Sequence, residues 1–185
     1  RVLAALPRIV RDVAQATGKD VLLETSGEDV ELDKQVLDGI ADALKHLVIN
    51  AVDHGCESPA ERVAAGKPAQ AVVSVSARSV GGTVVIEVAD DGAGVDEDAV
   101  RDKALRLGLV APDSGLVGSA LLNLLFTPAF STNDTVTETS GRGVGLDVVR
   151  NAVEDLGGSV EIRSERGTGT TFVLVLPVTL GVLRC

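Results

Sequence analysis

Residues 140–150 read SGRGVGLDVVR, and the rest of the chain is interpreted from this stretch. Gly141, Gly143 and Gly145 stand at every second position, directly before an apolar segment with helical spacing. Glycine has no Cβ, so its backbone reaches positive φ and lets an anion approach the N–H groups. The first turn of a following helix adds unpaired N–H donors and the positive end of the helix dipole. The pattern indicates a phosphate-binding loop, but glycine pairs also form ordinary turns, so the other motifs must decide.

The composition is that of one globular domain of 185 residues with an aliphatic core. Apolar residues make up 45% of the chain, which excludes disorder, and only three residues are aromatic. A net charge of −10 argues against a nucleic-acid partner, which would favour a basic surface. No apolar run has the length of a membrane span, so we expect no membrane insertion. Cys56 and Cys185 form no metal or CxxC pattern, which is typical of free thiols in the cytoplasm.

The periodicity of apolar residues predicts both helices and strands. Helices are predicted over residues 1–17, 32–52, 96–107, 119–125 and 146–156, and strands over 21–25, 71–79, 83–89, 160–163 and 171–176. A further apolar strand is expected to begin at residue 177, and the polar segment 57–69 is expected to lie outside the core. This order predicts an α+β fold, a two-layer sandwich of a mixed, mainly antiparallel sheet with helices on one face.

Polar residues stand where two of these elements end. His46, Asn50 and Asp53 are spaced four and three apart, so they can share one face of the helix over 32–52. Asp90 follows the strand over 83–89 and precedes a glycine-containing turn. Such residues at element ends can line a common pocket.

Four motifs in this order are far more specific than any one of them. They are LKHLVINAVDHG (44–55), VADDGAG (88–94), FTPAFST (126–132) and SGRGVGLDVV (140–149). Together they resemble the GHKL (Bergerat) ATP-binding fold. His46, the pair Asp53–His54, the segment ESPAERVAAGKP (57–68) and the terminal LPVTL are more closely similar to the ATP-binding catalytic domain of CheA-type chemotaxis histidine kinases. The resemblance implies a catalytic domain over 1–177 and the start of a following regulatory domain over 178–185, as part of a longer protein.

The resemblance implies ATP and Mg²⁺ as cofactors and gives roles to individual residues. Asn50 is the implied metal ligand, because an amide oxygen suits a hard cation that bridges phosphates. Asp90 is implied to accept a hydrogen bond from the exocyclic amine of adenine. Gly92 and Gly94 would let the base and a water-mediated contact approach the backbone. A helix-capping role for Asn50 and a solvated turn for Asp90 are the plain structural alternatives.

Three residues are implied to take part in phosphoryl transfer. His46 stands where ATP-hydrolysing GHKL proteins carry a general-base carboxylate, and we expect it to contact or orient the terminal phosphate, with a core histidine as the alternative. Asn50 holds the metal. Arg142 is the cation best placed for the charge that develops on the phosphoryl group. The histidine that accepts the phosphoryl group is expected on a separate domain.

The remaining nucleotide contacts come from the end of the long helix and from two loops. His54 lines the site or offsets the helix dipole. Phe126 and Phe130 are expected to anchor the ends of a mobile lid over 127–139. The full set implied to bind the nucleotide is Asn50, Asp53, His54, Asp90, Gly92, Gly94, Ser131, Thr132, Gly141, Arg142, Gly143, Val144, Gly145 and Leu146.

Three positions depart from the CheA-type pattern. Ile49 and Ala93 stand where arginines are usual, and Ala99 stands at the apparent position of a lysine. Each charge-assisted hydrogen bond to phosphate contributes about 1.5–3 kcal/mol, so these changes weaken ATP binding unless Lys45, Lys103 or Arg142 compensates.

The resulting functional hypothesis is a Mg·ATP-binding histidine kinase domain that donates the γ-phosphate to a histidine of a phosphotransfer domain. The longer protein would then work with response regulators, an adaptor protein and chemoreceptors, and would form a homodimer through a segment outside this chain. The alternatives are a catalytically weakened nucleotide-binding scaffold and a GHKL ATPase. A Rossmann dinucleotide site is disfavoured, because its glycine motif should follow the first strand.

Overall fold

In the computed structural model, residues 2–131 and 145–179 are described. The helices are α1 (Val2–Thr17), α2 (Lys34–Asn50), α3 (Pro59–Ala64), α4 (Glu97–Arg106), α5 (Gly118–Leu122), α6 (Pro128–Ser131) and α7 (Leu146–Asp155), with a π-helical turn over Ala51–Gly55 and a 3₁₀ turn over Asn123–Phe126. The strands are β1 (Val21–Ser26), β2 (Ala71–Val80), β3 (Thr83–Asp90), β4 (Ser159–Glu165) and β5 (Gly169–Pro177).

The five strands form one mixed sheet in the order β1-β2-β3-β5-β4. β1 pairs with β2 in parallel, and the other three pairings are antiparallel. Gly81 and Gly167 take positive φ in the two hairpin turns, which is the conformation that such turns require of glycine. The α+β fold with a mainly antiparallel sheet is therefore confirmed.

The main core lies between the sheet and the helices α1, α2 and α7. Alternate strand residues such as Val73, Ile86 and Leu174 point into it, as the two-residue period of a strand requires. Phe126 and Phe172 meet edge to face inside this core, with ring centroids 6.2 Å apart. A predominantly aliphatic sequence thus packs as a two-layer sandwich.

A second, smaller cluster joins α4, α5 and α6. Its buried members are Val100, Ala104, Leu121 and Phe130. This cluster packs the helices between residues 97 and 131 against one another. Its member Phe130 lies just before residue 132, the first residue outside the described part of the chain.

Side-chain caps fix where α2, α3 and α4 begin. Asp33 accepts a hydrogen bond from the Gln35 N–H at the start of α2, and Asp96 accepts from the Asp98 and Ala99 N–H groups at the start of α4. α3 begins with a capping box between Ser58 and Glu61.

The chain beyond β5 differs from the expectation of a new strand from residue 177. β5 itself runs to Pro177, and the next residue, Val178, accepts a hydrogen bond from the Asp33 N–H and donates one to the Gly82 carbonyl. Residues 180–185 lie outside the described part of the chain. Within the described residues, no helix is long and apolar enough to cross a membrane.

Candidate nucleotide site

The carboxyl end of α2 forms one wall of the candidate site. His46 and Asn50 are half-buried on α2, one turn apart, as their spacing predicts. After Asn50 the helix continues as a π-helical turn over Ala51–Gly55, in which the Cys56 N–H donates to the Ala51 carbonyl at 2.8 Å. π-Helical turns inside α-helices are frequently found at functional sites. The regular helix expected to about residue 52 is therefore shorter, and the residues after Asn50 are rotated from their α-helical positions.

Lys19 holds this π-helical turn from the side of α1. Its Nζ donates to the carbonyl of Val52 at 2.9 Å and also to the carbonyl of Asp53. Asp53 is half-buried, and its carboxylate lies 3.5 Å from Nε2 of the largely exposed His54. Lys19 thus fixes the main chain of the turn, while the side chains of Asp53 and His54 remain accessible to solvent.

The pKa of His46 is influenced by His54, in the π-helical turn, and by Asp147, on α7. Burial lowers the pKa of His46 below its ordinary value, and the nearby His54 lowers it further, while Asp147 opposes the change. The imidazole is therefore neutral at pH 7. Asp147 lies in the first turn of α7, so the helix that follows the glycine loop begins close to α2.

Asp90 forms the second wall at the end of β3. Its Oδ1 accepts a hydrogen bond from the Gly92 N–H at 2.9 Å. Burial raises the pKa of Asp90 to about 6; backbone hydrogen bonds from Gly92 and Thr170 lower it, and the charges of Asp91 and Glu57 raise it. A half-buried carboxylate with a perturbed pKa at a strand end is typical of a binding site.

The π-helical turn and the end of β3 are in direct contact. The Gly55 carbonyl accepts from the Ala93 N–H at 3.0 Å, and a Cβ on Gly92 would come within 1.8 Å of that carbonyl oxygen. Gly94 has a φ of +72°, and a Cβ there would come within 2.2 Å of the Glu165 carbonyl oxygen. Both glycines are thus required by neighbouring protein backbone, a reason separate from the expected approach of a base.

A partly buried ionic cluster adjoins the Asp90 turn and was not anticipated from the sequence. It joins Glu57, Arg62, Lys67 and Asp91, and the Arg62 side chain is only 1% exposed. The segment over 57–69 was expected to lie outside the core, and for Arg62 this was wrong. No local periodicity links Arg62 to Asp91, which is 29 residues away in the sequence. The similarity of the segment over 57–69 to the CheA-type pattern was therefore the one signal in the sequence that this segment has a structural role.

The two phenylalanines at the start of the expected lid are buried, as predicted. Phe126 is 2% exposed in the main core and Phe130 is 8% exposed in the second cluster. Lys103 donates to the Phe130 carbonyl at 2.6 Å and lies 5.0 Å from the centre of its ring. Lys103 therefore lies next to the point where the described chain stops.

The predicted phosphate-binding residues fall largely outside the described residues. These are Thr132, Gly141, Arg142, Gly143 and Val144, together with the side chain of Ser131. Gly145 is the N-cap of α7 in an extended conformation, and Leu146 is half-buried against the main core. The role of the glycine loop remains a prediction.

The three departures from the CheA-type pattern differ in exposure. Ala93 and Ala99 are exposed, whereas Ile49 is half-buried. Lys45 was one of the residues expected to compensate for these missing cations. Its Nζ lies 4.0 Å from Asp42 Oδ1, and its side chain is partly exposed. The turn after Asp90 thus presents no cation at position 93.

The described donor set suits Mg²⁺ held through a nucleotide. Within residues 2–131 and 145–179, no three His, Cys, Asp or Glu side chains cluster as a metal cage. Mg²⁺ commonly uses one or two protein ligands and completes its shell with substrate phosphates and water. The half-buried amide of Asn50 fits that single-ligand pattern.

A separate cavity of about 480 Å³ lies between α1, α2 and the sheet. Its lining includes Leu3, Leu32, Leu44 and Ile86, and none of the predicted site residues contributes to it.

The helix-covered mixed sheet, with polar residues at the joined ends of α2 and β3, is the architecture of an ATP-binding α+β domain. A family model described as "Histidine kinase-, DNA gyrase B-, and HSP90-like ATPase" matches residues 36–180. The chain belongs to this family.

Within the family, the chain is similar to proteins named chemotaxis protein CheA. It is 47% identical over 182 residues to CheA of Rhizobium meliloti, covering 98% of this chain and 24% of that protein. It is 45% identical over 186 residues to CheA of Halobacterium salinarum, covering 100% of this chain and 28% of that protein. The chain thus spans about a quarter of the length of these relatives.

A solved structure shares the fold at lower sequence identity. The histidine kinase domain of the blue-light activated histidine kinase EL346 from Erythrobacter litoralis aligns with a TM-score of 0.56 and 18% identity. The alignment covers 96% of this chain and 65% of that one, which supports the fold assignment.

Proposed function

We propose that this domain binds Mg·ATP and transfers the γ-phosphoryl group to a histidine on a separate phosphotransfer domain. One observation carries the proposal: the half-buried Asp90 carboxylate is packed against Gly55, at the end of the helical segment that bears Asn50. This contact supports a single site for the proposed adenine acceptor and the proposed metal ligand. Similarity to CheA proteins over nearly the whole chain supports the kinase assignment.

Each described residue has a definite task in this proposal. Asp90 accepts a hydrogen bond from the adenine amine, and Asn50 offers its amide oxygen to Mg²⁺, which when bound neutralises charge on the phosphate oxygens. His46, neutral at pH 7, orients the terminal phosphate by hydrogen bonding rather than by charge.

The transfer itself needs no covalent enzyme intermediate. The acceptor imidazole nitrogen forms a bond to the γ-phosphorus while the bond from that phosphorus to the ADP oxygen breaks. The transition state for this exchange is loose, so the domain contributes mainly positioning and charge neutralisation. We place Arg142 and the glycine loop over 141–145 at the phosphates on the basis of the family resemblance.

The proposal extends to the longer protein in which such a domain works. We infer a second copy of the chain, an adaptor protein, chemoreceptors and response regulators as partners, because the CheA relatives carry chemotaxis in their names. Residues 178–185 would begin a following regulatory domain, with the catalytic domain over 1–177.

A specific observation favours one alternative, a nucleotide-binding module with little kinase activity. Ala93 and Ala99 are exposed where cations are expected, so the described part of the site has fewer groups to bind a triphosphate. A GHKL ATPase is less favoured, because position 46 carries a histidine where ATP-hydrolysing members carry a carboxylate as the base that activates water.

Calorimetric titration with ADP and a non-hydrolysable ATP analogue, with and without Mg²⁺, tests the binding part. Mg²⁺-dependent binding that is tighter for the ATP analogue supports the proposal, and failure of both nucleotides to bind contradicts it. Radiolabelled ATP with an added CheA phosphotransfer domain then tests transfer. Labelled histidine supports the kinase, binding without labelling supports the weakened module, and ATP turnover without an acceptor supports the ATPase.

A further inference from the structure

We propose that Arg62 and Lys67 are positioning residues that hold the turn over 90–92, and thereby aim the Asp90 carboxylate at the adenine base. This inference rests on the proposed adenine-binding role of Asp90. It assigns a role in base recognition to a segment, 57–69, that contains none of the predicted site residues. Neither cation needs to touch the nucleotide, since both act through Asp91 and Gly92.

Arg62 makes four hydrogen bonds from a position that is almost inaccessible to solvent. Its Nε donates to the Pro68 carbonyl at 2.7 Å, and its Nη1 donates to Glu57 Oε1 at 3.0 Å and to the Asp91 carbonyl at 3.1 Å. Its Nη2 donates to Asp91 Oδ2 at 3.0 Å. The planar guanidinium therefore fixes both the main chain and the side chain of Asp91.

Lys67 holds the same turn one residue further along. Its Nζ donates to Glu57 Oε2 at 2.8 Å, to the Asp91 carbonyl at 3.1 Å and to the Gly92 carbonyl at 2.7 Å. The second oxygen of Asp91, Oδ1, accepts from the Val72 N–H of β2 at 2.9 Å. The turn is thus tied to α3 and to the sheet at the same time.

This turn also holds the side chain of Asp90, the proposed adenine acceptor. The Gly92 N–H donates to Asp90 Oδ1, so the orientation of the Asp90 carboxylate depends on where Gly92 lies. Gly92 itself is packed against the Gly55 carbonyl and is held through its own carbonyl by Lys67. Loss of either cation removes hydrogen bonds that hold the main chain of the turn.

The cluster also controls the charge that Asp90 experiences. The acidic groups facing Asp90 are Asp91 and Glu57, and both disfavour its ionised form. Cys56 contributes no charge, because burial raises the pKa of its thiol to about 12. Arg62 and Lys67 balance the two carboxylates, so replacing one cation leaves an excess negative charge beside Asp90 and disfavours the carboxylate that adenine requires.

Base discrimination measures this role separately from general stability. ADP carries the exocyclic amine and inosine diphosphate (IDP) does not, so a misplaced Asp90 weakens ADP binding and leaves IDP binding nearly unchanged. Both affinities come from the same folded molecules, so partial unfolding does not alter their ratio. We expect Arg62→Gln and Lys67→Met each to lower the ADP/IDP affinity ratio about tenfold, the loss of one charge-assisted hydrogen bond.

A pH profile supplies the second readout. In Arg62→Gln, the pH below which ADP affinity declines should move upward, whereas Arg62→Lys keeps the charge and should return it to the wild-type value. Arg62→Lys should restore base discrimination only in part, because an ammonium cannot reproduce the guanidinium contacts. Arg163→Gln, which removes an exposed ion pair with Glu161 on β4, is the matched control and should change neither readout.

The outcomes separate this inference from the proposed function. If the wild-type chain does not prefer ADP to IDP, the adenine role of Asp90 fails. If the wild type discriminates and both Arg62→Gln and Lys67→Met discriminate equally well, the positioning role is overturned. Should Arg62→Gln fail to give a cooperative thermal melt, Lys67→Met decides, since Lys67 is 18% exposed and its replacement removes no buried guanidinium.

Discussion

Gly55 leaves no room for a side chain beside Asp90: a Cβ at position 55 would lie 2.6 Å from Asp90 Oδ2. The residue that ends the helical segment of Asn50 is therefore in contact with the proposed adenine acceptor. This contact leads directly to the first prediction.

Gly55→Ala should displace the Asp90 carboxylate and lower ADP affinity at least about tenfold, because a contact this short forces one of the two groups to move. Calorimetric titration with ADP measures the effect. Gly82→Ala is the matched control, since a Cβ there meets no atom within 4 Å. Unchanged ADP affinity in Gly55→Ala would contradict the placement of the base at Asp90.

ADP affinity should decrease as the pH falls through about 6, the raised pKa of Asp90. Only the ionised carboxylate is fully able to accept from the adenine amine, so affinity at pH 5 should be about tenfold below that at pH 7.5. Titration across this range checks the prediction. Asp90→Asn should bind weakly at every pH and lose this dependence; a wild-type affinity that stays constant from pH 7.5 to 5 would contradict it.

Asp90→Asn should also stabilise the nucleotide-free domain at pH 8. The pKa of Asp90 is raised from 3.8 to about 6 on folding, so the folded state binds the proton more tightly. The stabilisation that comes from this tighter proton binding by Asp90 is fully present below pH 3.8 and is lost as the pH rises through about 6. The neutral amide avoids that loss, and we expect the free energy of unfolding to rise by about 1–2 kcal/mol.

Urea unfolding of wild type and Asp90→Asn at pH 8 and pH 4 measures this difference. The advantage of the variant should be largest at pH 8 and nearly absent at pH 4, where the wild-type carboxyl is mostly protonated when folded. An equal advantage at both pH values would assign the effect to packing rather than to the charge of Asp90.

Much of the fold could be predicted because its signals are local. The periodicity of apolar residues predicted both the strands and the helices. The position of β5 between β3 and β4 has no local signal, because it depends on pairing between distant segments. The π-helical turn after Asn50 was missed for a related reason: AVDHG is equally compatible with an α-helix.

The candidate site residues were proposed from motifs that are local in the sequence, whereas contacts made across the fold have no such signal. Asn50 and Asp90 were identified from their motifs, and the structure brings their elements into contact. Arg62 was missed, because an arginine in a polar segment is normally exposed, and only folding reveals that Glu57 and Asp91 surround it.

Asn50→Ala should remove the Mg²⁺-dependent part of nucleotide binding while leaving ADP binding without Mg²⁺ nearly intact. The reason is that the amide oxygen is proposed to contact the metal and not the base. Titration with a non-hydrolysable ATP analogue, with and without Mg²⁺, separates the two contributions. Asn151→Ala, an exposed asparagine on α7, is the control. A Mg²⁺-dependent gain that survives in Asn50→Ala would show that another residue holds the metal.

Ala99→Lys should strengthen binding of the ATP analogue by about threefold, because it adds a cation to the exposed first turn of α4, at the apparent position where the resemblance to CheA-type domains implies a lysine. The gain should be smaller for ADP, which lacks the terminal phosphate, and should decrease at high salt, since an exposed charge is screened. Ala99→Gln, similar in length but uncharged, should bind like the wild type. Equal strengthening by lysine and glutamine would show that packing on α4, and not the missing charge, limits nucleotide affinity.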